Sequence, residues 1–246
     1  SSDIRPNRLL VMDASGDTID LPGTETIEPT FGLPAMWVDP DNREEATFKG
    51  YTVVDPATVI TTHLTELIRD NMSELLSYVE TQNLLDELPN EHQKLIAEVV
   101  PNQISVGGIQ RVLQNLLNER VSIRDLPTIL EGISEACAFT RNVTQLTEHV
   151  RSRLSRQISE QNSTEDNFIP LVTLSAEWEQ IFSDSILDQG EDKQLSMAPS
   201  QLQRFIGAVR TTLDELADKE DPPVVLTSPT ARPFVRSIIE RFRPAT

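Results

Sequence analysis

Residues 1–54 carry their apolar side chains in short runs separated by turn-forming residues, a pattern typical of small β-sheet domains. Three of these runs predict strands, at residues 8–12, 36–38 and 51–54. Proline and glycine are dense between residues 21 and 56, and proline interrupts helices because it lacks a backbone N–H. The pattern therefore predicts a β-rich domain in which the chain is extended and turn-rich.

A change of pattern at Asp55 and Pro56 predicts the start of a helical region. Aspartate is a good N-cap, and proline at the first helical position already has the φ of a helix. From there to about residue 160 the apolar residues recur at the three- and four-residue spacing of one helical face. Helices are predicted over residues 105–117 and 122–135, and another apolar stripe runs over residues 143–158. These stripes predict a compact helical domain.

The polar residues 159–167 are predicted to form a linker to a further domain. Beyond it the pattern predicts a strand over residues 168–174, a helix that runs through Ile186 and a second helix after Pro199. A strand over residues 223–227 and a helix over residues 231–242 are predicted to follow. This order is typical of a small α/β domain, although a strand would normally follow the last helix to complete the sheet. The predicted fold class is therefore α+β with several domains: a small β-rich domain, a central helical domain and a C-terminal small α/β domain.

Composition limits the possible partners of the chain. Its 246 residues include 21 Lys and Arg against 39 Asp and Glu, which gives a formal net charge of −18. A surface this acidic repels phosphate backbones and anionic lipid, so nucleic-acid binding and membrane-surface binding are disfavoured. No apolar run approaches the roughly 20 residues of a membrane span, no signal peptide opens the chain, and the single Cys137 cannot form an internal disulfide. We expect a soluble, acidic, intracellular chain.

Motifs for metal, phosphate or nucleophilic chemistry are missing from the sequence. His63, His92 and His149 are far apart and show no zinc-ligand spacing. Gly107 and Gly108 form the only glycine pair, without the lysine of a phosphate-binding loop. No serine-nucleophile motif of the Gly-x-Ser-x-Gly kind occurs. We expect no metal, no cofactor and no enzymatic activity, and a cryptic hydrolase is kept only as a distant alternative.

The predicted helices at 105–117 and 122–135 also permit a helix-turn-helix interpretation. A DNA-reading helix needs positively charged donors, but the second helix carries Asp125, Glu131 and Glu135 against the single Arg124. A DNA-binding regulator therefore stays a distant alternative, which a salt-dependent DNA titration would test.

The most unusual stretch is residues 27–38, where Phe31, Leu33, Met36 and Trp37 stand among two prolines and a glycine. One interpretation is a loop whose aromatic side chains enter the core of the β-rich domain. The other is that part of this apolar surface stays in a groove for a partner.

Several long motifs resemble the type III export-gate family, FHIPEP. They are EPTFGLPAMWV at 28–38, GYTVVDPATVITTHL at 50–64, RVLQNLL at 111–117, VSIRDL at 121–126 and TILE at 128–131. The resemblance covers essentially the whole chain, and residues 51–64 look flagellar. An injectisome export gate is the nearer alternative.

The resemblance implies the cytoplasmic part of an integral protein of the bacterial inner membrane. Family members dock chaperone–substrate complexes at the cytoplasmic face and hand the substrates to the membrane channel. Residues 1–54 match the second of the family's four cytoplasmic subdomains, residues 55–71 a helix of the first, and residues 72–160 the ring-forming third. Residues 165–246 match the fourth subdomain without its last strand.

A hydrophobic dimple between the family's first two subdomains receives export chaperones with bound substrates. The resemblance places its acidic member at Glu28 and its aromatic member at Phe31. We expect Phe31 to be the main anchor and Glu28 to contribute less from an exposed rim. The resemblance also implies the ATPase complex, the switch protein of the gate and a homo-nonamer of the full-length protein as partners, and no nucleic acid. The apolar and small members of the dimple are Met12, Leu33, Val54, Val59 and Thr62.

Overall fold

The computed structural model describes residues 4–189, 192–216 and 224–243. Backbone contacts divide the chain into two compact units, Ser1–Met72 and Ser73–Thr246. Each unit has hydrophobic clusters of its own.

The first unit is built on a four-stranded antiparallel sheet with the order β2-β3-β1-β4. The three predicted strands are confirmed, with small differences at their ends, and β2 is an additional edge strand that the pattern did not predict. The strands are β1 (Leu9–Met12), β2 (Gly23–Ile27), β3 (Pro34–Val38) and β4 (Thr52–Val54).

A short helix, α1 (Arg43–Phe48), shows that the prediction of purely extended, turn-rich chain was wrong here. Pro40 lies in the first turn of a 3-10 helix that leads into α1, a position where its missing N–H is tolerated. After the helix, Gly50 has φ +80°, its N–H donates to Thr47, and the next N–H, of Tyr51, donates to Ala46. These two bonds form a Schellman motif, which ends the helix where the chain turns into β4.

Alternation along the strands gives the sheet two buried faces. Leu9, Val11, Met36 and Val38 pack on one face, around Ala46 of α1. The opposite face carries a second cluster, which includes a helix that follows β4.

That second cluster joins Leu10, Ala35 and Trp37 to Val59 of α2 (Pro56–Asp70). The predicted start of this helix is confirmed, because the Asp55 carboxylate accepts the Thr58 N–H at 2.8 Å. The helix α2 therefore lies against the sheet through its first turns.

The second unit begins with a helical part around one large apolar core. The first helix, α3 (Met72–Leu75), starts at the last residue of the first unit. The others are α4 (Tyr78–Asp86), α5 (Gln93–Val99), α6 (Val106–Asn118), α7 (Leu126–Ala136), α8 (Val143–Arg153) and α9 (Ser155–Gln161).

The helix predicted from residue 122 begins only at Leu126. Proline at 127 fits the first turn, whereas a helix starting at 122 would need its missing N–H. The Asp125 side chain caps this start by accepting the Thr128 N–H at 3.2 Å. The single stripe predicted over 143–158 is two helices that break at Leu154, and α9 extends into the predicted linker, so the linker prediction was wrong for residues 159–161.

The rest of the second unit is an α/β part with its own core. The predicted α/β arrangement is confirmed, because β5 and β8 pair in parallel. The predicted helix through Ile186 was wrong at its end, since Ile186 starts a hairpin of β6 and β7. Pro223 of a predicted strand and residues 244–246 lie outside the described residues. The elements are β5 (Leu171–Thr173), α10 (Ala176–Ser185), β6 (Ile186–Gln189), β7 (Asp192–Leu195), α11 (Pro199–Glu215), β8 (Val224–Leu226) and α12 (Arg232–Ile239).

Candidate functional site

The β2–β3 hairpin closes with a short, tightly bonded loop at residues 28–33. The Glu28 N–H donates to the Leu33 carbonyl at 2.8 Å, and the Gly32 N–H donates to the Glu28 carbonyl at 3.0 Å. Gly32 has φ +70°, which glycine adopts at little cost and other residues rarely adopt. The loop is thus fixed by its own backbone.

Glu28 is only 4% exposed, so the expected position at an exposed rim was wrong. Its Oε2 accepts the backbone N–H groups of Thr30 at 2.9 Å and of Phe31 at 2.6 Å. The physical reason is that backbone donors at a hairpin tip have no strand partner, and a nearby carboxylate can satisfy both. The buried Glu28 carboxylate therefore stabilises the conformation of the loop.

Phe31 sits at the tip of this hairpin with 66% of its surface exposed. Met36 and Trp37, further along the same stretch, are buried in the sheet. Each of the two interpretations of residues 27–38 therefore holds for part of the stretch. Met36 and Trp37 on β3 enter the core, whereas the loop leaves Phe31 exposed to solvent.

Four of the expected site residues lie on the strands of the sheet or in the loop of the β2–β3 hairpin. Met12 pairs with Ala35, and Leu33 lies two residues before Ala35, just ahead of β3. Glu28 begins the loop and donates its backbone N–H to the Leu33 carbonyl. Val54 belongs, together with Met12, to the apolar cluster on the face of the sheet that α2 covers.

The remaining two expected residues lie on α2, which packs on that face. Val59 is buried in the same cluster as Met12 and Val54. Thr62 follows Val59 by three positions on α2 and is half-buried. The structure thus brings Met12, Val54 and Val59 together, and Phe31 is the one member that is mostly exposed.

Ile27 is an exposed apolar residue of this hairpin that the resemblance did not select. It is the last residue of β2 and pairs with Pro34. The β-branched residues Thr24, Thr26 and Ile27 ahead of a proline- and glycine-containing turn are a strand and hairpin signal that could have predicted β2.

Carboxylates flank the site along the chain. Hydrogen bonds from the Ser15 side chain and backbone lower the pKa of Asp13, which follows Met12. Hydrogen bonds from the Thr58 backbone and side chain likewise lower the pKa of Asp55, which follows Val54. Both groups are anionic at neutral pH, so negative charge lies next to Met12 and Val54 along the chain.

The described residues also show where other chemistry could lie. Within residues 4–189, 192–216 and 224–243, no three His, Cys, Asp or Glu side chains form a group that could hold a metal. A cavity of about 240 Å³ in the α/β part is lined mainly by apolar side chains, among them Trp178, Phe205, Val209 and Leu213. Its lining carries hydroxyl groups but no ionisable side chain.

The helix-turn-helix alternative gains no support from the geometry. A seven-residue connection separates α6 from α7, and α7 buries Leu126, Ile129, Leu130 and Ile133 in the core. With its apolar side in the core, α7 would present its acidic side to DNA.

Comparison with known proteins decides the family. The sequence matches the FHIPEP family profile over residues 1–246. The chain belongs to the FHIPEP family. It is 54% identical over 246 residues to the flagellar biosynthesis protein FlhA of Caulobacter vibrioides, covering 100% of this chain and 35% of that protein. This FHIPEP chain thus spans about a third of its curated relative, and the predicted family membership is confirmed.

Solved structures show the same fold. CdsV of Chlamydia pneumoniae, in complex with CdsO, matches with a TM-score of 0.80 and 26% identity, covering 98% of this chain and 70% of CdsV. Nonameric SctV-C from EPEC matches with a TM-score of 0.74 and 24% identity, covering 98% of this chain and 72% of that one. These matches confirm the predicted α+β class for this FHIPEP chain. Among its described helices, none is long and apolar enough to cross a membrane.

Proposed function

We propose that the chain is a cytoplasmic part of a flagellar type III export gate and docks export chaperones with bound substrates through the face around Phe31. The observation that carries the proposal is the exposure of the Phe31 side chain, 66% of which is open to solvent. Phe31 lies in a loop whose backbone N–H groups are bound by the Glu28 carboxylate. Membership of the FHIPEP family and the flagellar FlhA relative support it.

An exposed aromatic residue on a hydrogen-bonded loop suits a binding anchor because little backbone freedom is lost when it binds. Burying a phenylalanine removes on the order of 150–250 Å² from water. At about 25 cal/mol per Å² the upper bound is roughly 4–6 kcal/mol, and truncating such an anchor typically costs ~2–4 kcal/mol. Phe31 alone can therefore decide whether a partner is held.

Charge around the site favours partners with cationic groups at the edge of their apolar surface. Asp13 and Asp55 flank the site as anions, and the whole chain has a formal net charge of −18. Complementary charges of this kind mainly speed encounter and choose among partners, and salt weakens them.

The wider role follows from the same family. We propose that the longer protein is integral to the bacterial inner membrane and that this part of it lies at the cytoplasmic face. We propose that the longer protein hands substrates to the membrane channel without catalysis. A nonameric ring is proposed by analogy with SctV-C, and further protein partners by analogy with CdsV bound to CdsO. The ATPase complex and the switch protein of the gate are the partners proposed. An injectisome gate is the second candidate.

Calorimetry with a purified flagellar export chaperone–substrate complex tests the docking site. We expect Phe31→Ala to weaken binding about 30- to 1000-fold and to leave the melting temperature nearly unchanged, since the side chain is exposed. Phe48→Ala is the matched control, because Phe48 lies in the same unit, at the end of α1, and is 93% exposed. Equal affinities for the two variants would contradict the proposal.

A further inference from the structure

The helical part and the α/β part of the second unit have separate apolar cores. The helical core runs from Leu76 to Ile158, and the α/β core from Leu174 to Phe242, with no member in common among the described residues. Residues 162–170 connect the two parts and contain no helix or strand. What holds one part to the other is therefore not a shared hydrophobic core.

A cluster of charged side chains joins them instead. Arg232, the first residue of α12, donates through Nη1 to Glu148 Oε1 at 2.5 Å and through Nη2 to Glu119. On the helical side, Arg151 Nη1 lies 2.5 Å from Glu119 Oε2. The four side chains are only 15–23% exposed.

Each member is fixed by a regular element. Glu119 follows the last residue of α6, and Glu148 and Arg151 lie three residues apart on α8, one helical turn. Arg232 begins α12, where a positive charge is disfavoured by the helix dipole unless carboxylates lie close by. The two glutamates supply that compensation across the junction.

Burial works against the charged form of two members of this cluster. Burial raises the pKa of the Glu148 carboxyl despite the adjacent Arg232, and burial lowers the pKa of the Arg151 guanidinium. For these two groups burial therefore opposes the charged form more strongly than the neighbouring opposite charges favour it. Opening the junction would let charged groups hydrate instead of exposing apolar core.

We propose that Glu119, Glu148, Arg151 and Arg232 form an ionic latch that holds the α/β part against the helical part and lets the two parts separate and re-engage. The connection at residues 162–170 serves as the hinge. The latch lies in the second unit, whereas the docking site around Phe31 lies in the first.

Charge reversal tests the latch. Arg232→Glu places a third carboxylate between Glu119 and Glu148 and should open the junction. Adding Glu119→Arg, Glu148→Arg and Arg151→Glu reverses every charge of the cluster, restores the pairing of opposite charges and should close the junction again. The matched control is Arg204→Glu. Arg204 also pairs with a glutamate at 2.5 Å, Glu177, but both belong to the α/β part and are well exposed.

Distances between spin labels at positions 91 and 183, one in each part, report opening in a full chain carrying Cys137→Ala. We expect one narrow distribution for the parent chain, for Arg204→Glu and for the variant with all four charges reversed. Arg232→Glu should broaden it to longer distances and lower the closed-to-open ratio at least about tenfold, or ~1.4 kcal/mol.

A distribution unchanged in Arg232→Glu, or one that stays broad in the variant with all four charges reversed, overturns the proposal. If Arg232→Glu does not fold by circular dichroism, the milder Arg232→Gln replaces it. A narrow distribution in that folded variant overturns the proposal equally.

Discussion

Gly23 starts β2 in a space that no side chain can enter. A Cβ there would lie 2.5 Å from the Trp37 carbonyl oxygen and 2.7 Å from Met36 Cγ. Since the carbonyl belongs to the paired strand and cannot move alone, Gly23→Ala should lower the free energy of unfolding by ~1–3 kcal/mol. Urea denaturation measures this free energy.

Gly207→Ala is the control, because nothing lies within 4 Å of its added methyl group. Alanine there stabilises helix α11 by about 1 kcal/mol relative to glycine. A neutral Gly23→Ala would contradict the packing.

The environment of the candidate site residues could be predicted only in part from the sequence. The motif around Glu28 and Phe31 identified the family, and the exposure of Phe31 agrees with an anchor role. The burial of Glu28 could not be predicted, because it depends on two backbone N–H groups turning toward the carboxylate in a closed loop. A carboxylate in a sequence is expected at the surface unless its partners are known.

At the scale of elements, predictability followed the strength of local signals. Helices with a capping residue and a long apolar stripe were predictable, as α2 after Asp55 and α6 after Ser105 show. The six-residue α1 was not, because it is too short for a periodic stripe and its Schellman ending depends on contacts made after Gly50. The β6–β7 hairpin was missed because Ile186 continues the apolar spacing of α10.

The cap of α2 gives that helix a pH dependence. Hydrogen bonds from Thr58 lower the pKa of Asp55 in the folded state. A carboxylate with a lowered folded pKa stabilises the fold above its unfolded pKa, and that stability is lost as pH falls through the folded pKa. The first turn of α2 should therefore loosen progressively below about pH 4. Amide hydrogen exchange at Thr58, followed by NMR against pH, measures it.

Asp55→Asn separates the charge from the cap itself. Asparagine still accepts the Thr58 N–H but does not titrate, so the exchange rate at Thr58, corrected for its intrinsic pH dependence, should become independent of pH in this range. Asp55→Ala should loosen the turn at every pH. A parent chain whose corrected exchange does not change through the acid range would show that the cap carries no pH dependence.

For the whole molecule, the net charge of −18 opposes assembly of identical copies. The acidic excess is spread along the chain rather than gathered in a tail, so approaching copies repel over most of their surfaces. Salt shortens the range of this repulsion, from a Debye length of about 30 Å at 0.01 M to about 10 Å at 0.1 M. In a longer protein held in a membrane, neighbouring copies would meet at a high effective concentration that this chain lacks in solution.

Self-association of the isolated chain should therefore be weak and should rise with salt. Sedimentation velocity at micromolar concentration is expected to give a monomer of 27.6 kDa at low salt, with the weight-average mass increasing as salt is added. The increase should reverse on dialysis, because screening changes only the repulsion and not the apolar contacts. A stable oligomer at low salt would show that contacts between copies outweigh the charge, and a ring would then need no tether to form.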